Sequence, residues 1–184
     1  SLEQWVENDS DYWVLLGGKA KLTGLMLTLS ANAHSNALGV EFSRLVVGRV
    51  IRCPEVPGTS AFLQEFSQLI PLYISSVTPH EELGEIITER KITPHIKQAF
   101  GNPPYPKLEV VRRILALENL DPCEVVFVGD SESDYQVALK AKLVFLGRDS
   151  GQPFSNADLS LSCDLNEVAD RLRPLVKPRR PLLD

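Results

Sequence analysis

The feature that most constrains the fold is the stretch Val125–Asp134, which reads Val-Val-Phe-Val-Gly-Asp-Ser-Glu-Ser-Asp. Its four leading apolar residues, three of them β-branched, are typical of a strand that is buried on both faces. The strand is predicted to end at Gly129 and Asp130, and a second carboxylate follows at Asp134, where a helix is predicted to begin. Ligands of parallel α/β sheets bind at the carboxyl ends of the strands, so this segment predicts a site there.

Two carboxylates at such an edge suit a hard divalent cation such as Mg²⁺, which prefers oxygen ligands and usually shares them with a phosphate. We therefore predict that Asp130 and Asp134 bind a metal ion. The structural alternative is that an Asp after a strand, or Ser131 or Ser133, only caps the next helix. Glu132 and Ser133 lie beside the metal ligands and are expected to hydrogen-bond to them.

The chain around this segment alternates strand-like and helix-like patterns, beginning after Pro54 and Pro57. The alternation predicts a parallel sheet with right-handed crossovers, an α/β fold. A loop is predicted at 100–104. The predicted strands are 70–76, 124–128, 143–147 and 159–161, and the predicted helices are 58–66, 80–89, 106–117, 133–141 and 165–175.

The segment before these prolines has a helical pattern. Apolar residues recur at helical spacing over 38–51 and predict an amphipathic helix, while small polar residues at 31–36 predict a turn before it. We therefore expect two domains, a helical segment over 1–52 and an α/β domain over 53–184.

Charge and composition argue against several classes of function. The net charge of −5 and the pI near 5.3 argue against a nucleic-acid surface. The sequence has no run of about 18 apolar residues and no basic-then-apolar leader, so neither a membrane span nor secretion is expected. Cys53, Cys123 and Cys163 are too widely spaced for a zinc site or a disulfide framework, so we expect a reducing, cytoplasmic compartment.

Two further polar residues are predicted at the same edge of the sheet. Ser75 follows a strand and offers its hydroxyl, beside the N–H groups of a helix N-terminus, to an anion. Lys107 is predicted to begin a helix, where its charge opposes the helix dipole unless an anion compensates it. Singly, such a Ser is usually a cap and such a Lys a solvated charge. Their order and spacing with Asp130 and Asp134 indicate a phosphate site.

Three segments resemble motifs of the haloacid dehalogenase (HAD) superfamily of phosphatases. Tyr73-Ile74-Ser75-Ser76 is similar to the second motif, a strand that ends in a phosphate-binding Ser or Thr. Pro103-Pro104-Tyr105-Pro106-Lys107 is similar to the third motif, whose Lys steadies the phosphoryl oxygens. Gly129–Asp134 is similar to the fourth, which binds Mg²⁺. The resemblance spans residues 54–150 and is closest to the phosphoglycolate phosphatase-like branch.

The resemblance implies a Rossmannoid parallel sheet with helices on both faces and a helical cap formed by the N-terminal segment. It implies that Ser75 and Lys107 are catalytic, that Ser75, Ser76 and Lys107 bind phosphate, and that Asp130 and Asp134 bind Mg²⁺. The substrate would be a small phosphorylated metabolite, a phosphomonoester that the enzyme hydrolyses. The cap would select this substrate.

The first motif of the family is missing. It is an apolar strand ending in Asp-x-Asp-Gly-Thr that carries the nucleophile and the general acid/base, and no such segment occurs in this sequence. Asp9-Ser10-Asp11 has the spacing without the strand before it or the Gly-Thr after it. The missing strand would lie at the centre of the sheet, between 70–75 and 124–128. Asp11–Leu16 or a partner chain would fill its place, or the chain is an incomplete copy of a longer protein.

Two functions therefore remain open at the level of sequence. The first is a Mg²⁺-dependent phosphatase whose nucleophilic Asp is not visible in the chain. The second is a non-catalytic relative, a binding or interaction module that keeps the fold and a weak affinity for anions.

Overall fold

The computed structural model describes residues 34–176. The chain divides into two compact units, Ser1–Pro54 and Glu55–Asp184. The predictions made for Asp9-Ser10-Asp11 and for Asp11–Leu16 lie outside the described residues. The assignment of the N-terminal segment as a cap stays a prediction.

In the first unit, helix α1 spans His34–Arg52 and confirms the predicted amphipathic helix. Phe42, Val46 and Val47 are its buried apolar residues. The predicted turn at 31–36 is wrong at its end, because the helix has already begun at His34. His, Ser and Asn cost a helix only a few tenths of a kcal/mol each, about 0.7 at most relative to Ala, so a soft polar composition does not stop it.

The second unit alternates helices and strands as predicted, and none of the described helices is long and apolar enough to cross a membrane. The helices are α2 (Thr59–Phe66), α3 (His80–Glu89), α4 (Lys107–Glu118), α5 (Glu132–Ala141) and α6 (Leu165–Leu172). The strands are β1 (Tyr73–Ser76), β2 (Gln98–Gly101), β3 (Val126–Gly129), β4 (Val144–Arg148) and β5 (Leu161–Ser162). Short 3-10 helices cover Thr93–His95 and Pro122–Glu124.

The strands pair in parallel and form two sheets, which confirms the predicted α/β class. One sheet contains β1 and β2, with Ser75 beside Phe100. The other has the order β3-β4-β5, with Gly129 beside Gly147. Within residues 34–176, no strand pairs with the second edge of β1 or of β3.

Strands β1 and β3 contain no fully buried residue, whereas β2 and β4, which pair with them, contain two each. All of β1 is only half-buried and Val128 of β3 is 37% exposed, whereas Phe100 of β2 and Leu146 of β4 are 1% and 5% exposed. The prediction that β3 is fully buried is therefore wrong. A strand inside a parallel sheet is normally covered by neighbours on both sides and by helices on its faces. Within residues 34–176, β3 has one lateral neighbour, β4; β2 also has only one and is better buried, so the number of neighbours does not by itself explain the exposure of Val128.

Two strand predictions need correction. The sequence predicts a loop where β2 ends, because Gln-Ala-Phe-Gly has none of the β-branched character that marks a strand. The strand predicted from Ile70 begins only at Tyr73. Pro71 has no N–H to donate to a neighbouring strand, which explains the later start.

The core of the second unit forms where α2 and α6 pack together and α6 packs on β4. Phe66 and Val168 lie at its centre and have no exposed surface. This packing holds β4 and, through the parallel ladder, β3. The buried members of the cluster are Phe62, Phe66, Leu146, Val168, Ala169 and Leu172.

Candidate functional site

The predicted site residues lie where β1 and β3 end. Ser75 and Ser76 are the last residues of β1, Lys107 is the first residue of α4, and Asp130 and Asp134 lie on either side of the start of α5. Helix α4 contacts β1, and α5 contacts both β3 and α4. The fold thus collects the three motif segments at one edge.

Asp134 is buried, with 5% of its surface exposed. Its Oδ1 lies 2.5 Å from the Nζ of Lys107, and its Oδ2 accepts a hydrogen bond of 2.7 Å from the Oγ of Ser131. Both carboxylate oxygens therefore have a partner. Gly129 lets the Asp134 side chain pack against the end of β3, because a Cβ at position 129 would lie 2.4 Å from the Cβ of Asp134.

The charge of Lys107 is compensated within the protein. A cation at the start of α4 opposes the helix dipole, and the sequence predicts that a bound anion compensates it. In the structure Asp134 is such an anion, and the two side chains are only 14% and 7% exposed. The helical position of Lys107 therefore does not by itself require a phosphate.

Ser131 is the N-cap of α5, which confirms the capping role considered for it. Its Oγ accepts a hydrogen bond of 3.3 Å from the backbone N–H of Asp134. The hydroxyls of Ser131 and Ser133 lie 3.0 Å apart. Ser131 therefore satisfies the helix terminus and also positions the Asp134 carboxylate.

Glu132, like Ser133, does not hydrogen-bond to either aspartate, so the expectation that these two residues support the predicted metal ligands is wrong. The Glu132 carboxylate accepts a hydrogen bond of 2.8 Å from the N–H of Ser155 and another of 2.8 Å from the side-chain amide of Gln136. These bonds, the first above all, lower the pKa of Glu132 below its usual value. Glu132 instead ties α5 to the loop between β4 and β5.

Asp130 is held by the chain that follows β4. Its Oδ2 lies 2.9 Å from the Nη2 of Arg148, and its backbone carbonyl accepts a hydrogen bond of 2.7 Å from the Oγ of Ser150. Sequence analysis does not identify Arg148. Arg148 could be found only from the register of β3 with β4, which pairs Gly129 with Gly147. The residues that follow these two glycines, Asp130 and Arg148, are therefore neighbours.

Ser75 and Ser76 have different environments. The Oγ of Ser76 donates to the Oγ1 of Thr78 at 3.0 Å and accepts from the N–H of Thr78 at 3.1 Å, so it stabilises the turn after β1. The Oγ of Ser75 is buried and has no hydrogen-bond partner among the described residues. An unsatisfied buried hydroxyl costs about 1–3 kcal/mol, so Ser75 is the residue of this edge with the strongest need for a ligand.

The loop between β2 and α4, which leads to Lys107, is anchored at the end of β1. The N–H of Asn102 donates to the carbonyl of Ser76 at 3.0 Å. The Tyr105 ring packs edge-on against His80, with 4.9 Å between the ring centres. The loop is therefore held both to the end of β1 and to the start of α3.

The described residues do not by themselves fit a Mg²⁺ site. In the part of the chain from 34 to 176, no three His, Cys, Asp or Glu side chains come together in a way that could hold a metal ion. Asp130 and Asp134 supply the oxygen chemistry that Mg²⁺ prefers. Each of them, however, is already paired with a side-chain cation, Arg148 or Lys107.

Comparison with solved structures identifies the fold, whereas no protein-family model and no curated protein matches the sequence. A Bacillus subtilis protein described as a HAD-hydrolase, solved bound to magnesium, is 13% identical with a TM-score of 0.67, covering 88% of this chain and 80% of that one. A haloacid dehalogenase-like hydrolase from Streptococcus pneumoniae is 15% identical with a TM-score of 0.59, covering 88% and 92%. A Clostridium difficile protein described as a phosphatase is 18% identical with a TM-score of 0.61, covering 80% and 74%. The chain therefore has the haloacid dehalogenase-like fold.

Proposed function

We propose that this chain binds the phosphoryl group of a small phosphomonoester where β1 and β3 end, and that it hydrolyses the ester. The observation that carries the proposal is the buried, unpartnered hydroxyl of Ser75 at the edge that also holds Lys107. The likeness to phosphatase and hydrolase structures supports the same reading.

Each residue has a defined task in this proposal. Ser75 donates its hydroxyl to a phosphoryl oxygen, which satisfies the group that is unpartnered in the described structure. The ammonium of Lys107 carries three N–H donors, and the contact with Asp134 uses one of them. Asp134 and Ser131 hold Lys107 and the start of α5 in place.

Mg²⁺ belongs to the function that the resemblance implies, and the Bacillus subtilis structure is bound to magnesium. The resemblance assigns it to Asp130 and Asp134, which in this chain are already paired with Arg148 and Lys107. Mg²⁺ would take its remaining oxygen ligands from water, from the substrate phosphate, or from residues outside 34–176. At Asp130 it would compete with Arg148, which already contacts the Oδ2 of that carboxylate.

A second candidate function is binding without hydrolysis. The covalent route that the resemblance implies uses an Asp carboxylate as nucleophile. Both carboxylates of the described site are in ion pairs, and the sequence contains no Asp-x-Asp-Gly-Thr. These two observations favour a module that retains the phosphate contacts and lacks the chemistry.

An assay of p-nitrophenyl phosphate hydrolysis, with Mg²⁺ and with EDTA, separates the two candidates. The variants are Ser75→Val and Lys107→Met, and Lys97→Met is the matched control because Lys97 pairs with Glu118 instead. Turnover that both site variants lose and the control keeps supports the phosphatase. Orthovanadate binding without turnover, measured by calorimetry and lost in Ser75→Val, supports the binding module. Neither turnover nor vanadate binding from folded protein would contradict both candidates.

A further inference from the structure

We infer that the guanidinium of Arg148 pairs with the Asp130 carboxylate and prevents it from binding divalent metal ions. The inference concerns a residue that no sequence motif identifies. It does not depend on phosphate binding, because its test uses a metal ion alone.

The pairing of Arg148 with Asp130 is set by the backbone. Strands β3 and β4 run in parallel with Gly129 beside Gly147, so Asp130, which follows β3, lies beside Arg148, the last residue of β4. The guanidinium then lies 2.9 Å from the carboxylate. The hydrogen bond from Ser150 to the Asp130 carbonyl, at 2.7 Å, fixes the backbone of the same residue.

The pair is sheltered enough to resist a competing ion. The side chains of Arg148 and Asp130 are 20% and 28% exposed, so solvent screens their attraction less than it screens a pair on the open surface. A divalent ion that binds Asp130 competes with the guanidinium for the charge of the carboxylate and must also shed part of its own hydration shell, which Mg²⁺ does reluctantly.

The net charge of the four site side chains also argues against metal binding. Lys107 and Arg148 balance Asp134 and Asp130, so the four side chains carry no net charge. A pair of free carboxylates would attract a divalent cation strongly, whereas a neutral cluster offers it little attraction. Removing Arg148 leaves Asp130 free and gives the cluster a net negative charge.

The test is Mn²⁺ binding to the full chain, measured by calorimetry and by the electron paramagnetic resonance signal of free Mn²⁺. The variants are Arg148→Met, Arg148→Lys and the double variant Arg148→Met/Asp130→Asn. Arg173→Met is the matched control, because it likewise removes an arginine from an ion pair. Arg173 pairs with Glu65 and Asp170 on an exposed surface.

We expect Arg148→Met to bind Mn²⁺ at least about tenfold more tightly than the wild type, because the competing charge is gone. Arg148→Lys, Arg173→Met and the double variant should bind it as the wild type does. Unchanged affinity in Arg148→Met would overturn the inference, as would tighter binding that persists in the double variant.

A second comparison, of the wild type with Asp130→Asn, does not require Arg148→Met to fold. If Arg148 prevents Asp130 from binding metal ions, wild type and Asp130→Asn bind Mn²⁺ with equal affinity. If the wild type binds Mn²⁺ tenfold or more tightly than Asp130→Asn, Asp130 is an available ligand and the inference is wrong. Vanadate binding to Ser75 and Lys107 can succeed or fail under either outcome, so the two proposals are tested separately.

Discussion

Two adjacent serines at the end of β1 show how strongly one position changes the role of a side chain. Successive residues of a strand point to opposite faces. Ser76 therefore reaches the turn and bonds to Thr78, while the hydroxyl of Ser75 is buried without a partner. The sequence predicts both as phosphate ligands, because both are serines at the end of the same predicted strand. Only the alternation of faces in the folded strand separates them.

Ser75→Ala is expected to raise the free energy of unfolding by about 1 kcal/mol, because it removes a buried hydroxyl that has no partner. Ser76→Ala is expected to lower it by about 1 kcal/mol, because it breaks two hydrogen bonds with Thr78. Urea unfolding of the two variants checks the opposite signs. A loss of stability in Ser75→Ala would mean that this hydroxyl has a partner in solution.

Lys107→Met is expected to lower the free energy of unfolding by about 3 kcal/mol, because it leaves the Asp134 carboxylate buried without its cation. The double variant Lys107→Met/Asp134→Asn should recover at least part of the loss, since no buried charge remains. Lys97→Met, which breaks an exposed pair, serves as the control with a much smaller effect. Equal losses in Lys97→Met and Lys107→Met, measured in urea, would contradict the buried-pair account.

At the scale of elements, the helices of the second unit are predictable and the strands less so. Helices such as α4 carry a periodic apolar face, with Val110 and Val111 buried, and that face can be recognised within one segment. Strand β2 has no such signal, and the Arg148–Asp130 contact depends on the register of β3 with β4. Register joins residues distant in sequence, so local patterns do not contain it.

The turn from β3 into α5 depends on a residue without a side chain. Gly129→Ala is expected to lower the free energy of unfolding by about 1–3 kcal/mol, because its Cβ would lie 2.4 Å from that of Asp134. Gly84→Ala in α3 is the control and should gain about 0.5–1 kcal/mol, because nothing lies within 4 Å of its Cβ. Thermal unfolding compares them. A gain in both variants would show that Asp134 can move aside freely.

Helix α6 has a pH-dependent start. The Asp164 carboxylate accepts backbone hydrogen bonds from Glu167 at 3.0 Å and Asn166 at 2.9 Å, and the Glu167 bond above all lowers the pKa of Asp164. The lowered pKa adds stability above the unfolded value of about 3.9, and this stability is lost as pH falls through the folded value.

Asp164→Asn is expected to keep the cap at pH 7, because Asn is an equally good N-cap, and to lose part of the decline in melting temperature on acidification. Asp158→Asn serves as the control for removing a carboxylate that is not the cap of this helix. Melting temperatures between pH 7 and pH 3 measure the effect. Identical pH profiles for Asp164→Asn and wild type would exclude a role of the charge.

At the scale of the whole molecule, the order of elements predicts the parallel α/β fold, and the solved structures confirm it. Regular alternation indicates this, because parallel strands need a long crossover connection, which is usually a helix. The division into two sheets is harder to predict: within the described residues, no strand pairs with the second edge of β1 or of β3. The missing first motif predicts these unpaired edges, because its strand would lie between β1 and β3.

The open edges of β1 and β3 should leave a mark in amide hydrogen exchange. The N–H groups of a strand point alternately to its two sides, and only those facing β2 or β4 meet a partner strand within the described part of the chain. We expect a two-residue alternation of fast and slow exchange along β1 and β3, read by mass spectrometry or NMR. Uniformly slow exchange would reveal that another strand occupies the gap in solution. The exchange rates of a few backbone amides thus report whether the sheet is complete.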